Sequence, residues 1–101
     1  MTITADTRYL VEPLYTDTRI WEIVARTPKT LTIRPCSDGE VVASEHRDGN
    51  PFPVVHVEAV PNESASTRTV RLRKDGTYAV AGGRPLRAVT GRPARRIDYR
   101  Y

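Results

Sequence analysis

Arg19-Ile20-Trp21-Glu22-Ile23-Val24-Ala25-Arg26-Thr27-Pro28-Lys29-Thr30-Leu31-Thr32-Ile33-Arg34 is the stretch that decides the fold. Side chains alternate across a strand, so Trp21, Ile23 and Ala25 share one face of its first half. Leu31 and Ile33 share one face of the second half, with Thr30, Thr32 and Arg34 opposite. Pro28 presets φ for a turn and cannot donate to a ladder, so Thr27-Pro28-Lys29 suits an antiparallel hairpin. A period of two with one apolar face is the signature of a sheet packed on a core.

Downstream, Pro35 to Glu40 reads as a turn around Asp38-Gly39. Glu40 to Glu45 reads as a third strand with Val41 and Ala43 inward. His46 to Pro51 reads as a loop. Pro53 to Val60 is a fourth strand, with Val55, Val57 and Ala59 on one face. A second hairpin is expected at Arg68–Arg73, where Val70 and Leu72 alternate with Arg71 and Arg73. Lys74-Asp75-Gly76-Thr77 supplies its turn, and Tyr78 and Val80 return on the core face. No run of 11 or more residues keeps helical spacing without a Pro, Gly or β-branched interruption. The expected fold is therefore all-β: a small antiparallel sandwich or partly open barrel of five to six short strands, followed by a basic C-terminal segment. The expected core is Trp21, Ile23, Leu31, Ile33, Val41, Val55, Val57, Val70, Leu72, Tyr78 and Val80.

The 101 residues fit one domain. At this mass about 65% of the unfolded chain's surface can be buried, which allows one core. Residues 1–83 form the expected β domain, and 84–101 the basic segment. Apolar residues thin out at both ends, so the first 15 or so residues and the last few are the expected loose parts. No run of 18 apolar residues exists, and Met1-Thr2-Ile3-Thr4-Ala5-Asp6 lacks the basic and apolar regions of a signal peptide. The lone Cys36 cannot close an internal disulfide. These features point to a reducing cytoplasm and away from a membrane.

Most catalytic constellations fail on residue types. There is no phosphate-binding glycine loop and no nucleophile elbow around Ser37, Ser44, Ser64 or Ser66. His56-Val57-Glu58 has the spelling of a zinc deaminase, but the required downstream cysteine pair is missing. Cys36, His46 and His56 have no metal-site spacing. No catalytic residue, cofactor or metal is expected, and the chain is expected not to be an enzyme.

Charge is the informative feature. Residues 1–67 hold six basic groups against ten acids, a net of −4, whereas residues 68–101 hold ten against two, a net of +8. The candidate partner surface is Arg71, Arg73, Lys74, Arg84, Arg87, Arg92, Arg95, Arg96, Tyr99 and Tyr101. Arginines and tyrosines in that pattern can anchor an acidic protein surface or stack on bases and track phosphates. Alternatively, the domain's own acids could neutralise them.

The run from Arg19 to Arg34 resembles small uncharacterised proteins of actinobacterial phages and mobile genetic elements, where an aromatic-x-V/I-V-x-R-T-x-K-T-V/L-T-V/I-R pattern recurs. Leu72-Arg73-Lys74-Asp75-Gly76-Thr77-Tyr78 and the Arg-rich close ending in Tyr are also similar. The resemblance covers most of the chain but rests on hairpin signatures, and it brings no activity with it. It implies a phage or mobile-element origin and a non-enzymatic accessory protein that binds a host or phage protein through its basic surface. The alternative is a nucleic-acid-binding β module that contacts mainly phosphates.

Overall fold

The computed structural model describes residues 3–14, 17–45, 54–80, 83–89 and 93–98. The chain is all-β, and no helix occurs among the described residues. The described residues form eight strands, β1 (Tyr9–Pro13), β2 (Thr18–Arg26), β3 (Thr30–Pro35), β4 (Ser37–Glu45), β5 (Val54–Val60), β6 (Arg68–Arg71), β7 (Arg87–Ala88) and β8 (Ala94–Asp98). They form two antiparallel sheets, ordered β6-β3-β2-β1-β7 and β4-β5-β8, in a sandwich-like arrangement that does not close into a barrel. Eight strands exceed the five to six expected, because short segments with weak local patterns gain partners from distant parts of the chain.

The Trp21 hairpin is where its sequence puts it. Thr27 N–H donates to Thr30 O at 2.9 Å, and Thr30 N–H donates back to Thr27 Oγ1 at 3.0 Å. The two threonines thus frame the Pro28-Lys29 turn. Ile23 pairs with Ile33, and a bulge between Ile23 and Ala25 then shifts the register. That extra residue takes Ala25 off the core face and leaves it exposed. Ile20 and Trp21 are adjacent and both buried, so β2 is covered on both faces rather than one. The main core is Leu10, Trp21, Leu31, Ile33, Val70, Val80 and Leu86, with Ile3, Ile23 and Tyr78 packed against it.

Several expectations are corrected. Asp38-Gly39 is not a turn. Cys36 alone separates β3 from β4, and Asp38 and Gly39 lie inside the strand. A Cβ on Gly39 would sit 2.9 Å from Val60 Cγ2 and 3.2 Å from Glu58 O. The glycine therefore serves the close approach of β4 to β5, not a bend. Val41 is 61% exposed and Leu72 42% exposed, so neither belongs to the core; Val55 is half-buried. Val41 lies on a strand that is terminal in its sheet among the described residues. Leu72 lies just beyond the end of β6.

The second hairpin forms its turn but not its return strand. Arg73 N–H donates to Thr77 O at 2.8 Å, and Gly76 adopts the left-handed φ of 84° that favours glycine. Beyond the turn, Tyr78 O accepts from Leu86 N–H at 2.7 Å and Ala79 bridges Pro85. β6 instead pairs with β3, Leu31 opposite Val70. Ile20, Val54, Val57 and Ala59 complete the buried apolar set among the described residues.

Candidate partner-binding surface

β6 is the terminal strand of the larger sheet, and the β2–β3 turn lies beside its end. Leu72 N–H donates to Lys29 O at 2.8 Å, which fastens that turn to the residue after β6. Lys29, Thr30, Arg71 and Leu72 consequently line one cleft of about 230 Å³. Arg73 and Lys74 follow on the closed turn. Asp75 Oδ1 braces that turn by accepting from Thr77 N–H at 3.0 Å and Thr77 Oγ1–H at 2.7 Å. These hydrogen bonds hold the Asp75 carboxyl below its ordinary range, and the Arg73 charge adds to the effect. Among the described residues, Lys29, Arg71, Arg73 and Lys74 form no ion pair. Lys29 and Arg71 flank the exposed Leu72 in the cleft, and Arg73 and Lys74 follow on the hydrogen-bonded turn, which makes this end cationic.

The other candidates lie elsewhere. Arg87 is exposed on β7, at the opposite edge of the five-stranded sheet, about 19 Å away at the usual strand spacing. Arg84 is exposed just before β7. Arg95 is engaged internally: Nε–H donates to Thr18 O at 3.0 Å, Nη1 bonds Asp38 Oδ2 at 2.8 Å, and Nη2 lies 3.9 Å from Asp17 Oδ2. Arg96 donates its backbone N–H to Thr18 Oγ1 at 2.8 Å. Arg92, Tyr99 and Tyr101 lie outside the described residues. The described part of the basic third is therefore divided, and of the described candidates Arg71, Arg73 and Lys74 lie at one end. Sequence reasoning missed Lys29, because only the long-range β3–β6 pairing brings it beside Leu72.

Two further features bear on chemistry. Trp21 Nε1–H donates to Glu12 Oε1 at 2.9 Å in the interior. The guanidiniums of Arg19 and Arg68 stand 5.9 and 6.0 Å from the Trp21 ring centroid, within cation–π range. Trp21 is thus consumed by packing and has no open face for a base. Cys36 lines a cleft of about 310 Å³ with Arg19, Ser37, Asp38 and Arg95. Burial pushes its thiol up to about 11, with the Glu22 charge adding and the Arg34 charge opposing. Such a thiol stays protonated at neutral pH and is a poor nucleophile. His56 is half-buried on β5, opposite Arg96, and His46 lies outside the described residues. Among the described residues there is no cluster of three His, Cys, Asp or Glu that could hold a metal ion, and no helix long and apolar enough to cross a membrane. No known protein family, curated protein or solved structure matches the chain.

Proposed function

We propose that the chain is a non-enzymatic binding module, an accessory protein of a phage or mobile element that docks an acidic host or phage protein in the bacterial cytoplasm. The observation that carries this reading is the Lys29–Arg71–Leu72 cleft, in which an exposed leucine is flanked by two cations without ion pairs among the described residues. An apolar anchor between fixed charges suits an acidic peptide segment with one aliphatic side chain. The phosphates of a nucleic-acid backbone are themselves charged and give Leu72 no aliphatic side chain to pack against. Nucleic-acid binding is the second reading, favoured by the net +8 of residues 68–101.

Fluorescence anisotropy separates the two, using an Asp/Glu-rich peptide with one central Leu and a duplex or single-stranded DNA oligonucleotide. The expected result is peptide binding that weakens at least tenfold in the Lys29→Gln/Arg71→Gln variant, as the loss of two charge contacts implies. Tight binding of both DNAs with a steep salt dependence, and none of the peptide, would transfer the function to nucleic acid. Binding of neither at low ionic strength would remove both readings.

A further inference from the structure

We propose that the acidic terminal strand β4 of one copy docks on the cationic end of a second copy, so that the chain self-associates head to tail. The inference rests on the reading of that end as a docking surface and names a second copy as an occupant. Among the described residues, no strand pairs with the outer edge of β4 in the smaller sheet. The opposite edge, β8, is tied to β2 through the Arg95 and Arg96 bonds to Thr18. Every residue from Ser37 to Ser44 is exposed, including Val41 at 61% and Val42 at 46%. Asp38 is bonded to Arg95, whereas Glu40 has no ion pair among the described residues.

The two surfaces complement one another. β4 offers Glu40 beside two exposed valines, and the cationic end offers Lys29, Arg71, Arg73 and Lys74 around exposed Leu72. The Glu40 charge beside the valines is opposite in sign to the charges near Leu72, so the contact pairs charge while each surface removes the other's exposed apolar area from water. Because the two patches differ, the contact is heterologous and does not close into a two-fold dimer. Register shifts between Asp38 and Val41 and between Val41 and Ala43 kink β4 and prevent a long shared ladder. Side chains therefore carry the contact, which makes it short, weak and sensitive to salt.

Sedimentation velocity on the full chain tests this with two variants, Glu40→Gln/Val41→Ser and Lys29→Gln/Arg71→Gln. All four residues are exposed or at a cleft rim, and circular dichroism checks that both variants fold. The wild-type chain is expected to grow beyond a dimer as concentration rises at low salt. Each variant alone is expected to stay monomeric. An equal mixture is expected to give a one-to-one pair and nothing larger, because it contains a single native pairing of surfaces. If a variant fails to fold, Val42→Ser or Arg73→Gln takes its place with the same expected pairing. A wild-type chain that stays monomeric, a mixture that stays monomeric, or a closed dimer that survives both substitutions would overturn the proposal. The acidic peptide keeps the two ideas apart. Peptide binding that persists in Glu40→Gln/Val41→Ser without any self-association sinks this inference alone, and absence of peptide binding sinks the docking surface beneath it.

Discussion

Trp21 shows how far a single residue can be read. Its place in a period-two strand marks it as core, and it is 2% exposed. Its partners were not legible. Glu12 reaches its indole N–H from β1, and Arg68 reaches its ring from β6, 47 positions along the chain. A carboxylate only 6% exposed, accepting from an indole, has no local sequence signature. Trp21→Ala removes the ring and leaves Glu12 without that donor, so a loss of about 3–5 kcal/mol is expected in urea denaturation. A loss below about 1 kcal/mol would mean that the ring contributes little to packing. At the candidate surface, Arg71, Arg73 and Lys74 were legible from a charge run. Lys29 was not, since its position in a proline turn says nothing of what lies beside that turn.

Among the elements, the β2–β3 hairpin was legible because every contact that defines it is local. The threonines, the proline and the alternating apolar residues all lie within Arg19–Arg34. β4 was misread at its start for the opposite reason. Asp-Gly is a turn signal in isolation, but here Gly39 is selected by β5, which approaches too closely for a side chain. Gly39→Ala would force its new methyl against Val60 Cγ2 and Glu58 O. The expected cost is about 1–3 kcal/mol, seen as a lowered Tm in calorimetry. An unchanged Tm would show that β4 yields without resistance. The second hairpin was half legible: its turn chemistry is local, whereas the destination of the chain after Gly76 is set by Leu86 and Pro85.

At the scale of the whole molecule, the described basic residues of the last third do not gather at one end. Arg95 pairs with Asp17 and Asp38, Arg71, Arg73 and Lys74 lie at the β6 end, and Arg87 lies on β7. The two sheets meet where β3 passes into β4, and Cys36 is the residue between them. Its backbone N–H donates to Ile20 O at 3.0 Å. The folded protein raises the thiol from 9.0 to about 11, so the fold favours the protonated form. Stability from this source is complete below pH 9 and is lost as pH rises toward 11. Because the thiol is partly open to solvent, roughly 1–2 kcal/mol is expected. The difference in urea midpoint between wild type and Cys36→Ala should therefore change between pH 8 and pH 11. A constant difference would mean that the thiol ionises as freely in the folded chain as in the unfolded one.

The bonds from Arg95 and Arg96 to Thr18 join positions 77 and 78 residues apart. Such a closure is among the last events a chain can complete, because a long loop must be gathered before any contact rewards it. Folding of this chain is consequently expected to be slow for its size. During synthesis β4 and β5 emerge well before β8, which pairs along the whole length from Val54 to Glu58. In that interval the β4–β5 pair has two unprotected borders instead of one. The time a nascent chain spends in that state, more than the stability of the finished protein, sets its exposure to misassembly in a crowded cell.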